Sequence, residues 1–396
     1  MLKIQTLNKI SAKGLDKFPR DDYEVASSIQ DADAILVRSQ DMHDMDIPGT
    51  VKAVARAGAG TNNIPIEELT KKGIVVFNTP GANANAVKEL VLLSILLASR
   101  PVIQANKWAN SLAGNGDEIA DMAEKGKSQF VGPEIMGKKL GVIGLGAIGA
   151  MVANAAVELG MEVIGYDPFL SVDSAWRLNH NIKHAETLDT LLSKADYITI
   201  HVPQMEETKG LLNASTFRIM KDGVRIINIA RGGLVNNADL LEAIKNGKIA
   251  KYVTDFASEE LLNNDSIICM PHLGASTPEA EENCAIMAVK QLREFLELGN
   301  ITNSVNYPKC YNENPIPAGG TRLCISHVNM PGMVSKFTTI LGDANLNIGG
   351  MINQNKGNQA YNIIDVDGVV PEETLRALAT IENVTKVRPI FSKVKA

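Results

Sequence analysis

At 396 residues the chain is long enough for two or three domains with their own cores, and its 45% hydrophobic and 21% charged residues are those of an ordinary globular protein. A net charge of −6 argues against non-specific nucleic-acid binding as the main role. No apolar stretch reaches the ~18–20 uninterrupted residues of a membrane span and the start MLKIQTLNKI lacks a signal-peptide core, so a cytoplasmic location and no membrane partner are expected.

The first block alternates short apolar runs with helical patterns: ADAILVRS, VKAVARAGAG and GIVVFNTPG, then the helix NANAVKELVLLSILLASR. This alternation predicts a parallel sheet flanked by helices, an α/β unit over residues 1–98.

A second unit is expected over 99–272. Its nucleotide-binding motif is KLGVIGLGAIG, in which a short apolar strand runs into Gly144, Gly146 and Gly149 at G-x-G-x-x-G spacing. The first glycine permits the strand-to-helix turn, the second admits a pyrophosphate close to the backbone, and the third lets helix and strand pack tightly. The helix N-terminus then offers unpaired N–H groups to the phosphates. The next strand, MEVIGYD, ends in Asp167, whose carboxylate can accept from ribose hydroxyls and would repel a 2′-phosphate. NAD is therefore expected over NADP. Further strands are expected at ADYITIHVP, VRIINIAR, KYVTDFA and SIICMPH, completing a doubly wound Rossmann-type domain.

The segment TPEAEENCAIMAVKQLREFLELG predicts a long amphipathic helix that returns to the first block, residues 273–305. A linker rich in Pro, Asn and Gly is expected over 306–320. Residues 321–396 read strand, helix, two strands, helix, strand, the βαββαβ order of a ferredoxin-like sandwich. The cysteines Cys269, Cys284, Cys310 and Cys324 lack paired metal spacing, so no metal site or disulfide framework is indicated and packing is their expected role.

Removing a hydride from an alcohol needs a base for the hydroxyl proton, a cation to hold the substrate and a group that tunes the base. Candidates stand at the carboxyl ends of strands, where open α/β sheets bind ligands. Arg231 follows IINIA, and its guanidinium fork can grip a carboxylate and a neighbouring oxygen. His272 follows SIICMP and titrates near neutrality. Glu260 can hydrogen-bond the imidazole and stabilise its charged form. Each taken singly is equally an ordinary surface charge, exposed histidine or helix start.

The ordered series GLGAIG, YDP, HVP, NIARGGLV, TDFASEEL and PHLGAST resembles the D-isomer-specific 2-hydroxyacid dehydrogenase family over roughly residues 1–305. The resemblance implies a Rossmann domain inserted in a discontinuous flavodoxin-like substrate domain, with the active site in the cleft between them, and catalytic roles for Arg231, Glu260 and His272. It also implies a cofactor site of Gly144, Gly146, Ala147, Ile148, Gly149, Asp167, His201, Val202, Pro203, Thr208, Ala230, Arg231, Asp255, His272 and Gly274, with Asp255 on the carboxamide. RAGAGTNNI is similar to the family's substrate loop, where the N–H groups of Gly58, Ala59 and Gly60 form an anion nest. Members that act on phosphoglycerate place arginines where Arg38 and Arg56 stand, so the substrate implied is 3-phosphoglycerate. The last block, SHVNMPGMV then NLNIGG, resembles a regulatory ACT domain in which His327, Asn329 and Asn347 would bind L-serine between paired copies, implying a homodimer or homotetramer. Two alternatives stay open: another hydroxyacid such as 2-hydroxyglutarate or glycerate, or a non-catalytic NAD-sensing corepressor. The Glu260-to-His272 interval is shorter than is usual in the family, Asn62 stands where Asp is frequent, and Lys88 is unassigned.

Overall fold

The computed structural model describes residues 1–393, which divide into two compact units, 1–83 with 278–393 and 84–277. The first holds a five-stranded parallel sheet of β1 (Leu2–Leu7), β2 (Tyr23–Ala26), β3 (Ala34–Val37), β4 (Ala53–Arg56) and β5 (Val75–Phe77), in the order β2-β1-β3-β4-β5. Its central strands are apolar on both faces because both faces are covered. Ala53 and Ala55 of β4 point to one side with Ile4, Leu36 and Phe77, where helix Pro278–Leu298 lays Ala285, Ala288, Val289, Leu292 and Phe295 against them. Val54 points to the other side, with Ile35, Val37, Val76 and Leu69.

The second unit is a seven-stranded parallel sheet of β6 (Lys139–Ile143), β7 (Glu162–Tyr166), β8 (Lys183–His184), β9 (Tyr197–Ile200), β10 (Val224–Asn228), β11 (Ile249–Thr254) and β12 (Ile267–Cys269). The order β12-β11-β10-β9-β6-β7-β8 is doubly wound, with its reversal at β6 and β9, where such sheets bind their ligands. Helix Ala84–Ser99, expected in the first block, belongs here. Val87, Val91 and Ile95 enter one core with Leu140, Val142, Ile227 and Val253, and the Ser99 and Tyr197 hydroxyls hydrogen-bond at 2.8 Å. The division therefore falls at 83/84 rather than near 98, because an almost wholly apolar helix does not declare which sheet it covers.

The C-terminal strands β13 (Thr321–Val328), β14 (Ile348–Lys356), β15 (Gln359–Val366) and β16 (Val384–Phe391) form an antiparallel sheet in the order β14-β15-β13-β16, with helices Met333–Asp343 and Glu372–Ala379 between strands. This is the ferredoxin-like arrangement. It packs into the first unit rather than hanging from a linker. Arg322, wholly buried, makes two bonds to Asp365 (Nε–Oδ1 2.6 Å, Nη2–Oδ2 2.9 Å) and reaches the Leu298 and Asn314 carbonyls. Arg388 stacks 4.3 Å above Phe295 and donates to the carbonyls of Phe295 and Leu296. The stretch expected as a linker is itself partly interior: Tyr307 and Cys310 are buried, and the Tyr307 and Tyr361 rings meet edge to face. Proline and asparagine there break periodicity, yet their chain is held by long-range bonds such as Asn312 Nδ2 to Asp365 at 2.9 Å.

Candidate active site

The turn after β6 is built as the glycine spacing requires. Gly144 has φ +89°, and a β-carbon on Gly149 would lie 1.9 Å from the Gly144 carbonyl oxygen. A β-carbon on Gly146 would meet nothing within 4 Å, so the backbone faces open space at that point. Helix Ala147–Glu158 starts there with no side-chain cap and no acidic residue in its first turn, leaving first-turn N–H groups of exposed Ala147 and half-buried Ile148 to an outside acceptor. Asp167 closes the turn from β7, accepting from Leu145 N–H at 2.8 Å and Phe169 N–H at 2.9 Å. The carboxylate is thus oriented by two amides and half-buried beside the glycine turn.

On the far side of the reversal, His201 follows β9 with Nε2 2.9 Å from Thr199 Oγ1, and burial pushes its imidazole down to about 3. A ring so held is neutral at physiological pH and is no general acid. Val202 and Pro203 lead into a turn braced by Thr208, whose hydroxyl donates to the Pro203 carbonyl at 2.6 Å and accepts from Met205 N–H at 2.8 Å.

Three ionisable groups converge at the ends of β10, β11 and β12. Asp255, 2% exposed, accepts from Gly274 N–H at 3.0 Å through Oδ2, while its Oδ1 is buried with no hydrogen-bond partner. Burial raises its pKa, and the Gly274 amide and the charges of His272 and Arg231 pull it back. His272 is pinned by its backbone, with N–H to the Asp255 carbonyl at 2.8 Å and a left-handed φ of +47°. Its exposed ring lies tilted against Phe256 at 4.9 Å between centroids and makes no hydrogen bond to a described residue. Arg231 leaves Ala230 at the end of β10, exposed, with Nη1 folded onto the Ala230 carbonyl at 2.7 Å.

Glu260 is not on the imidazole. Its Oε1 accepts from Asn237 Nδ2 at 2.7 Å, and that amide holds its pKa below the usual carboxylate value. Asn237 had no signature in the sequence beyond its place after the helix cap Asn236.

In the first unit, the turn after β4 leaves the Ala59 and Gly60 N–H groups without a backbone acceptor among the described residues, as an anion nest requires, whereas Gly58 N–H bonds the Arg56 carbonyl at 2.9 Å. The two arginines expected to hold a phosphate both have protein partners. Arg56 donates to the Gly60 carbonyl at 2.6 Å and so braces the turn. Arg38 is paired with Glu281 at 2.5 Å.

The residues expected to bind L-serine are differently disposed. His327 is buried, with Nδ1 donating to the Val328 carbonyl at 2.8 Å and Nε2 accepting from Asn362 at 2.8 Å, so both ring nitrogens are used within the sheet. Asn329 Nδ2 reaches the Gly357 carbonyl at 3.3 Å, and Asn347 Nδ2 bonds Asp367 at 2.6 Å. Both asparagines are exposed.

Residues 92–276 match the NAD binding domain of the D-isomer specific 2-hydroxyacid dehydrogenases. The D-3-phosphoglycerate dehydrogenase of Bacillus subtilis is 36% identical over 326 residues, covering 78% of this chain and 59% of that protein. The enzyme of the same name from Haemophilus influenzae is 31% identical over 404 residues, covering 98% of this chain and 94% of that one. The chain spans 59%, 53% and 55% of the Bacillus subtilis, Archaeoglobus fulgidus and Methanocaldococcus jannaschii relatives. Among solved structures, the NAD+-bound 3-phosphoglycerate dehydrogenase of Entamoeba histolytica aligns with a TM-score of 0.59 at 25% identity, covering 77% of this chain and 98% of that one. The D-mandelate dehydrogenase of Rhodotorula graminis shares the fold, with a TM-score of 0.66 at 22% identity over 78% of this chain and 98% of that one.

Proposed function

The chain belongs to the D-isomer specific 2-hydroxyacid dehydrogenase family, and from that premise we propose that it catalyses the NAD-dependent oxidation of D-3-phosphoglycerate to 3-phosphohydroxypyruvate. The observation that carries the chemistry is the convergence of Arg231, Asp255 and His272 at the carboxyl ends of three adjacent strands.

The residues present fit a dinucleotide. The open backbone at Gly146, the uncapped helix start and the oriented Asp167 suit a pyrophosphate and a ribose, and the orphaned Oδ1 of Asp255 suits an amide donor such as a carboxamide. When bound, NAD supplies the acceptor for the hydride that leaves C2. His272 takes the hydroxyl proton, which leaves a ketone at C2 and an imidazolium. Arg231 orients the carboxylate and the C2 oxygen with its planar fork. Glu260 supports the imidazolium when it reaches it.

The tethering of Arg38 and Arg56 favours a second reading, in which a hydroxyacid with an uncharged tail is accepted as readily. Initial rates of NADH oxidation with 3-phosphohydroxypyruvate, hydroxypyruvate and 2-oxoglutarate separate the two. Preference for the phosphorylated substrate supports the first, equal rates the second, and no turnover with any would leave an NAD-binding protein without this activity. His272→Ala should cost roughly 10²–10⁴-fold in turnover. L-Serine as an effector rests on Asn329 and Asn347, since His327 has no nitrogen to spare. The same assay with and without L-serine tests it.

A further inference from the structure

The position of Glu260 carries a consequence for the proposed oxidation, on which this inference rests. Its turn, Glu259–Leu261, is anchored by buried Leu261, and the His272 backbone is anchored by Asp255. At each position the backbone is held and the side chain keeps the remaining freedom. In this structure the carboxylate is held elsewhere, by the Asn237 amide, which also lies 3.3 Å from Ser258 Oγ. Asn237 is the first residue of helix Asn237–Lys245, so its side chain is presented from a fixed point on the wall of a groove of about 550 Å³ that also exposes Lys209, Phe256, Ser258 and Glu260. The imidazole meanwhile lies against Phe256, with no hydrogen bond to a described residue.

We propose that Asn237 is a positioning residue that holds the Glu260 carboxylate apart from the His272 imidazole, so that the Glu260–His272 pair forms only when the Asn237 hydrogen bond is broken. The amide and the imidazole compete for one acceptor, and the competition limits how strongly Glu260 supports the imidazolium. The other charges in play are Asp255 and Arg231 beside His272, and Glu259 and Lys209 beside Glu260. None of these changes when Asn237 does.

The test is the pH profile of kcat/KM for hydroxyacid oxidation in the full chain, for wild type, Asn237→Ala and Asn237→Gln. Oxidation needs the neutral imidazole, so a carboxylate released to His272 moves the acid limb to higher pH. Asn237→Ala should lower kcat/KM on that limb about threefold or more, a shift of about half a pH unit, and leave the high-pH plateau in place. Asn237→Gln, which keeps an amide, should lie nearer to wild type. In a Glu260→Gln background, Asn237→Ala should have no effect on the limb. An unchanged limb, a shift to lower pH, or an equal shift without Glu260 would overturn the proposal. The His272 ring titration followed by NMR reports the same shift without turnover. A protein inactive on every hydroxyacid would fail the functional reading while leaving this measurement decisive for Asn237.

Discussion

Gly149 stands so close to Gly144 that a β-carbon on it would fall 1.9 Å from the Gly144 carbonyl oxygen, well inside any real contact. Because the clash is with backbone, it cannot be relieved by a rotamer change. Gly149→Ala should therefore displace the start of helix Ala147–Glu158 and with it the N–H groups that face the open turn. A loss of ~1–3 kcal/mol in stability is expected, as for overpacked core sites, together with at least a tenfold weaker NADH affinity. Thermal melts and fluorescence titration of NADH check the two parts.

Asp255 should show the reverse trade. Its carboxyl pKa is raised by burial, and one oxygen has no partner, so the ionised form is held at a cost. For an acid with a raised folded-state pKa, the penalty is present at pH values above that pKa and vanishes as pH falls below the unfolded value of 3.8. Asp255→Asn is thus expected to raise the melting temperature at pH 7 and to raise it less near pH 4. It should weaken NADH binding if Oδ1 serves a donor of the cofactor. Melting curves at the two pH values, with NADH titrations alongside, are the measurement.

Those two sites differ in how much of them the sequence announced. The glycine turn and Asp167 were legible because each is a local device, set by spacing along a strand, a turn and a helix. The three strand ends bearing Arg231, Asp255 and His272 were legible for the same reason, once the strands had been placed. The partners of charged side chains were not. Arg38 meets Glu281 across 243 positions of chain, and Glu260 chose Asn237 over His272, because a long flexible side chain finds its partner only after the backbone is folded. Helix Ala84–Ser99 was recognisable as a helix, but its apolar faces gave no sign that it packs under β6 and β10. His327 is implied as a ligand only by the resemblance of SHVNMPGMV to a regulatory domain. Its ring is instead satisfied by Val328 and Asn362 inside the sheet.

The buried Arg322–Asp365 pair fastens the C-terminal sheet to the rest of its unit, since the same guanidinium also serves the carbonyls of Leu298 and Asn314. Arg322→Ala would leave Asp365 with an uncompensated charge and two carbonyls without donors. Breaking one partner of a buried pair costs about 3–5 kcal/mol. The expected result is a lower melting temperature and faster proteolysis within residues 306–320, which Arg322 and Asp365 hold through Asn314 and Asn312. Cleavage at the wild-type rate would mean that the apolar contacts of Tyr307 and Tyr361 suffice.

Glu281 decides how much of Arg38 is available to a substrate. The two side chains are each more than two-fifths exposed and 2.5 Å apart, so the pair contributes little stability and can be opened at little cost. A phosphate dianion bound by Arg38 must displace or share with this carboxylate, and the carboxylate repels it either way. Glu281→Gln removes the competitor and the repulsion while keeping the side chain's length. If Arg38 binds the phosphate, the KM for 3-phosphoglycerate should fall by about threefold to tenfold, with kcat unchanged and the KM for glycerate unmoved. The range follows from roughly 1 kcal/mol of weakly screened interaction between exposed charges. The gain should shrink as salt is raised, since solvent ions screen the same repulsion. If both KM values move together, Glu281 acts through the helix that carries it and not through Arg38. If neither moves, the phosphate is not held by Arg38, and the reading in which a neutral-tailed hydroxyacid is the substrate gains ground.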